Sequence, residues 1–152
     1  MSEDRFGLQR FVAAQEDAAI YARALEELRR GRKQSHWIWF VFPQIAGLGQ
    51  SPMSQAYAIR SLDEARAYLE HPLLGPRLRE CCEALLAADP AATAPQILGA
   101  IDAIKVRSSM TLFLRANSAE PLFQSVLDRF YTGEPDPETD RLLGLAEGRG
   151  GP

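Results

Sequence analysis

A chain of 152 residues, 46% hydrophobic and 24% charged, with two cysteines and a net charge of −3, has the composition of one soluble globular domain. A domain of this size buries roughly 70% of its unfolded surface, so it is expected to fold around an apolar core without a cofactor, metal or disulfide. The longest apolar run, residues 37–42, falls far short of the ~20 residues that cross a bilayer, and the polar start Met1-Ser2-Glu3-Asp4-Arg5 has no leader pattern, so a cytoplasmic protein without a membrane segment is expected.

Leu8, Phe11, Val12, Ala18, Tyr21, Ala22, Leu25 and Leu28 share one helical stripe, with Glu16, Asp17, Glu26 and Glu27 opposite. One amphipathic helix is therefore predicted over 8–28. In Arg29-Arg30-Gly31-Arg32-Lys33 the basic side chains suit the negative end of that helix and Gly31 suits a left-handed C-cap. Ser35 is placed to cap a short buried helix over 36–42 that Pro43 stops; a buried strand is the alternative, because periodicity does not separate the two over so short a run.

A loop over 47–52 leads into a helix from Pro52 to Ile59. Ser61-Leu62-Asp63-Glu64 reads as a capping box that opens a helix with Ala65, Tyr68 and Leu69 inward, closed by His71-Pro72. The next helix buries Leu74, Leu78, Cys81, Cys82, Leu85 and Leu86. Its adjacent cysteines cannot form an ordinary disulfide with each other and match no zinc spacing, so they read as core filler. Thr93 caps a short helix up to Gly99, and Asp102 is placed to cap a longer one buried through Ile104, Met110, Phe113 and Leu114. A helix over 119–131 follows, and Asp136-Pro137 starts the last, docked by Leu142, Leu143 and Leu145, before a fraying tail at 148–152. No period-two strand pattern appears, so the expected fold is all-α: a compact single-domain bundle of seven to eight short helices over 1–147.

Two segments concentrate chemistry. The first, Gly31-Arg32-Lys33-Gln34-Ser35-His36-Trp37-Ile38-Trp39-Phe40-Val41-Phe42-Pro43-Gln44, holds both tryptophans beside basic and amide side chains. Trp37 and Trp39 can stack a flat ring, Arg32 and Lys33 can meet phosphate, and Gln44 can read a base or sugar edge. The plain structural reading is a buried helix. His36 reads either as a general acid or base or as a structural hydrogen-bond partner. The second segment runs over 102–113, where Lys105, Arg107, Ser108 and Ser109 follow a helix start, a place that favours anions. There Asp102 can equally be a cap paired with Lys105.

Residues 29–115 carry eleven basic against seven acidic side chains between two acidic ends, which fits a small anionic ligand. The absence of a longer basic stripe argues against a nucleic-acid partner. No P-loop, dinucleotide fingerprint, nucleophile elbow or metal-ligand spacing is present.

Residues 10–15, 31–44, 47–49, 57–59, 64–69, 71–75 and 105–113 together resemble the bacterial domain of unknown function 1810 family, often mislabelled calpastatin-like. The resemblance runs nearly end to end and implies a compact helical domain without an established activity. Where that family usually has Pro-Asp-Asp before the lysine, this chain has Ile101-Asp102-Ala103. A looser likeness, in the make-up of the site, is to the NADAR N-glycosidases that act on ADP-ribose derivatives. It implies that Trp37 or Trp39 stacks a base, that Lys105 and Arg107 hold phosphates, and that Asp102 or Glu64 stabilises an oxocarbenium ion or activates water; His36 is a further catalytic candidate on its own chemistry. Two functions follow as expectations: an enzyme on a nucleotide-like or ADP-ribose-like molecule, and a non-catalytic binding or regulatory module for a small anion or a partner protein.

Overall fold

The computed structural model describes residues 4–144, which form an all-α fold. In chain order the helices are α1 (Gln9–Glu16), α2 (Ile20–Arg30), α3 (Ile38–Val41), α4 (Pro52–Ala56), α5 (Leu62–Glu70), α6 (Leu74–Leu86), α7 (Ala94–Leu98), α8 (Ala100–Ala116), α9 (Pro121–Tyr131) and α10 (Pro137–Leu142), with a 3₁₀ turn at Asp17–Ala19. Leu145 and residues 148–152 lie outside the described residues. No helix among those described is long and apolar enough to cross a membrane.

The helix expected over 8–28 is broken into α1 and α2. Ala18 and Ala19 both take left-handed backbone, at φ 51° and 58°, a conformation costly for residues with a Cβ. The break lets α1 pack on α3 while α2 turns to pack on α6. It is held by the buried Gln15, which donates to the Phe40 carbonyl at 2.8 Å and accepts from Arg77 at 3.0 Å. Of the stripe expected over 8–28, Leu8, Phe11, Leu25 and Leu28 are buried, whereas Ala18 and Ala22, at and just after the break, are exposed.

α8 is the central helix, touched by α3, α5, α7, α9 and α10. Ala103, Val106, Met110 and Phe113 form its buried stripe, but Ile104 is not part of it and is 66% exposed. Phe11, Tyr68, Phe113 and Phe123 make a chain of aromatic contacts through the core, with ring centroids 5.2 to 5.9 Å apart. Cys81 and Cys82 are buried, and loss of solvation pushes the Cys81 thiol up to about 12, so both behave as small apolar groups.

Capping follows the sequence closely at some helix starts. Ser51, Thr93 and Asp136 cap α4, α7 and α10, and Thr93 forms a full capping box with Gln96. Ser61 accepts from the Glu64 amide at 3.0 Å, but the Glu64 carboxylate reaches one residue further back, to the Arg60 amide at 2.9 Å. Ser35 caps nothing. α3 starts at Ile38 with Trp37 as its N-cap, and the Ser35 hydroxyl donates instead to Glu27 at 2.6 Å. Nor does Asp102 cap α8, which starts two residues earlier with Gly99 at the N-cap. α4 stops at Ala56, and Ile59 pairs as an isolated parallel bridge with Ile45, which fixes the loop that carries Gln44.

Gly75 marks a close approach of α6 to the end of α5, because a Cβ there would lie 2.1 Å from the Leu69 carbonyl oxygen. The α5–α6 corner has to move apart to accept one. Gly75→Ala is expected to lower stability by about 3 kcal/mol in urea unfolding, and a loss near zero would mean that the corner is looser than described.

Candidate functional site

The α2 terminus builds the first part of the site. Gly31 is left-handed at φ +78°, its amide bonds to the Leu28 carbonyl at 3.0 Å, and the Arg32 amide bonds to the Glu27 carbonyl at 2.9 Å. This is a Schellman cap, and it turns the chain back over the end of α2. The turn buries Glu27, which the helical pattern places on the outer face. Its carboxylate accepts from the Gln34 amide at 2.8 Å, the Ser35 amide at 3.0 Å, the Ser35 hydroxyl at 2.6 Å and Trp37 Nε1 at 2.8 Å. Burial pushes this carboxyl upward, but the four donors outweigh that effect and hold its pKa at about 2. Sequence reasoning missed Glu27. The available signal was the indole of Trp37, which needs an acceptor once buried, and a carboxylate at the fourth position from the C-terminus of α2.

Lys33 is brought in by the same turn. Its amide bonds to the Ile97 carbonyl at 2.7 Å, and its ammonium donates to the Ser35 carbonyl at 2.6 Å and pairs with Asp102 Oδ2 at 2.8 Å. The other Asp102 oxygen, Oδ1, pairs with Lys105 at 3.2 Å. Each ammonium also lies over a tryptophan, Lys33 at 5.0 Å from the Trp37 ring centroid and Lys105 at 4.2 Å from that of Trp39. Asp102 is therefore the bridge of a lysine–carboxylate–lysine chain laid on two indoles. Lys33, at 8% side-chain exposure, is the buried end of that chain.

Beside the chain opens a cleft of about 450 Å³, within the roughly 300–1,000 Å³ typical of small-molecule sites. One wall is the outer face of α8, with Ile101, Ile104, Lys105 and Ser108. Gln44, Leu48 and Ser54 also line it, as do Asp136 and Glu138 from the start of α10. Ile101 and Ile104 are 71% and 66% exposed, an apolar rim that lies off the buried stripe of α8. Trp39 lines the cleft half-buried, and its Nε1 is closed off from solvent without a hydrogen-bond partner among the described residues. A smaller void of about 60 Å³ adjoins, sharing Trp39 and Lys105 with the cleft and lined also by Lys33, His36, Trp37 and Asp102.

The loop walls are pinned by residues with little side chain to spare. A Cβ on Gly49 would fall 2.4 Å from the Ser54 hydroxyl, and Gly47, at φ +106°, faces Leu142 of α10. Arg107 donates to the carbonyls of Glu134 and Pro135, both at 2.9 Å. Ser108 donates to Asp136 Oδ2 at 3.0 Å, and the same oxygen accepts from the Thr139 amide and hydroxyl.

Of the residues singled out in the sequence, Lys33, His36, Trp37, Trp39, Gln44, Asp102, Lys105 and Ser108 line these two spaces. The others are elsewhere. Trp37 is 1% exposed with its indole nitrogen already bonded to Glu27, so it offers no open face for stacking. Lys105 covers a face of Trp39. Arg107 lines neither space and holds the loop before α10. Ser109 is fully buried, and its hydroxyl has no partner among the described residues. Arg32 and His36 are exposed, Arg32 outside both spaces and His36 at the rim of the small void. Glu64 lies outside both spaces, 2% exposed and paired with Arg10 at 2.9 Å. The apolar rim and the acidic lining were missed, although Ile101 and Ile104 do stand out once α8 is phased on Ala103, Val106, Met110 and Phe113. Among the described residues no group of three His, Cys, Asp or Glu is placed to hold a metal ion.

No curated protein matches the chain. A solved structure does, the crystal structure of the conserved hypothetical protein Rv1873 from Mycobacterium tuberculosis, at 48% identity and a TM-score of 0.89 over 94% of this chain and 100% of that one. The family described as protein of unknown function DUF1810 matches residues 5–143, and the chain belongs to it.

Proposed function

We propose that the cleft binds a small molecule that joins a flat, largely apolar ring to an anionic group, as a nucleotide does. The observation that carries this reading is the Trp39–Lys105 pair. An ammonium with donors to spare is held over a half-buried indole at the junction of the cleft and the small void, next to the exposed apolar rim of Ile101 and Ile104. The ring lies against Ile101, Ile104 and Leu48, where burial of apolar surface favours it, and Lys105 takes the anion.

Binding is better supported than turnover. Hydrolysis of a glycosidic bond needs a carboxylate free to meet the sugar or a water, and both oxygens of Asp102 are held by ammonium groups while Glu64 lies outside the cleft. His36 and Asp102 do line the same void, which keeps hydrolysis as the second reading. Release of free base from nucleotides or ADP-ribose, followed by chromatography, tests it.

The binding reading is tested by thermal unfolding against nucleotides, dinucleotides, ADP-ribose and sugar phosphates. A ligand at 100 times its Kd stabilises by about 2.7 kcal/mol, on the order of 5–10 °C in a domain of this size. The shift is expected to vanish in Lys105→Ala, whose side chain is partly exposed and makes a single ion pair. No shift with any of these compounds overturns the reading in favour of a protein partner.

A further inference from the structure

Resting on that reading of the cleft, we propose that Asp102 sets the charge that the site accepts, so that it selects a ligand group bearing one negative charge, a carboxylate or a phosphodiester, over a dianionic phosphate monoester. The small void is where this group fits. A single water needs roughly 10–15 Å³, so about 60 Å³ has room for the free oxygens of a carboxylate or phosphodiester and none for a base.

The charges around it are few. Lys33 and Lys105 contribute two positive charges and Asp102, bonded to both, removes one. His36 is the other titratable group on the lining. Lys33 commits two of its three donors to Ser35 and Asp102 and is nearly buried, so it is less available to a ligand than Lys105. Lys105 has one carboxylate partner and reaches both spaces, which makes it the cation available to an incoming anion. The adjoining cleft is lined by two further carboxylates. Asp136 lies beside Ser108, one helical turn along α8 from Lys105, and Glu138 is paired with Arg141. A monoanion finds one net positive charge. The second charge of a phosphate monoester finds no further net positive charge in the void and meets the Asp102 carboxylate there, in a partly desolvated space where like charges repel strongly.

The same arrangement gives Asp102 a role other than acid–base chemistry. As a carboxylate it compensates a buried lysine and caps the number of charges the pocket can neutralise. Asparagine keeps the shape and an acceptor for one lysine while raising the local charge by one.

The experiment compares cyclic AMP, a monoanionic phosphodiester, with AMP and with neutral adenosine by titration calorimetry at pH 8, where the monoester is fully dianionic. The wild type is expected to prefer cyclic AMP over AMP, and Asp102→Asn to shift the ratio of the two affinities about tenfold toward AMP. Lys105→Gln is the second variant. It leaves the local charge at zero and is expected to reduce cyclic AMP to the affinity of adenosine, even if Asp102→Asn proves too unstable to titrate. Equal or stronger binding of AMP by the wild type, or a ratio that Asp102→Asn leaves unmoved, overturns the charge rule while the binding reading stands. Failure of all three compounds to bind the wild type overturns both.

Discussion

Glu27→Ala is expected to destabilise the protein by about 4 kcal/mol, more than an ordinary surface carboxylate in α2 would warrant. The substitution removes the acceptor of four hydrogen bonds and leaves Trp37 Nε1, in a side chain 1% exposed, without a partner. Hydrogen bonds to a charged group are each worth roughly 1.5–3 kcal/mol, and an orphaned buried donor adds its own penalty, so the estimate allows for loop relaxation. The same carboxylate predicts an acid response. Burial opposes its ionisation, yet its donors hold the folded pKa at about 2 against an ordinary 4.5. The folded value is the lower one, so its stabilisation is complete above about pH 4.5 and is lost as pH falls toward 2. The gap corresponds to about 3 kcal/mol. Urea unfolding between pH 7 and pH 2.5 checks this: Glu27→Gln is expected to lack that part of the acid sensitivity, and parallel profiles for the two proteins would mean that Glu27 does not organise the turn.

The two tryptophans are expected to separate stability from binding. Trp37→Ala removes a fully buried ring that packs on Phe42 at 6.3 Å between centroids, so it is expected to cost about 3–5 kcal/mol. Trp39→Ala removes a half-buried ring with no hydrogen bond to lose, and about 1–2 kcal/mol is expected. Its larger effect falls on the ligand, because Lys105 loses the surface that holds its ammonium at 4.2 Å, and affinity is expected to drop about tenfold. Unfolding curves and calorimetric titration of both variants distinguish the roles. Equal stability losses with no change in affinity would return Trp39 to the core.

The fold was legible wherever local chemistry decides it. Gly31, Thr93, Ser51 and Asp136 terminate or start helices as their side chains and backbone freedom dictate, and the apolar stripe of α6 buries both cysteines. It was illegible where distant contacts decide. Nothing near Ala18 and Ala19 marks a break, since its cause is the packing of α1 on α3 and α2 on α6. Ser35 looks like a cap only until Glu27, eight residues earlier, competes for its hydroxyl. The site was legible as residue types, and Lys33, Trp39, Asp102 and Lys105 do converge. Its shape was not, because the acidic lining of the cleft arrives from α10 through the bond of Ser108 to Asp136. Arg107 and Ser108 sit in a string that suggests phosphate, but Arg107 is spent on the loop before α10 and Ser108 on its cap.

The central claim is that a ligand occupies the cleft at Trp39 and Lys105. The chain has two tryptophans, so its indole Nε1–H resonances are two, and Trp39→Phe assigns them. In a titration with cyclic AMP followed by ¹⁵N–¹H correlation spectra, the Trp39 indole resonance is expected to move with saturation and to move further than that of Trp37, whose N–H is held by Glu27. A Trp39 resonance that stays fixed at millimolar ligand, or a shift confined to Trp37, would contradict the account.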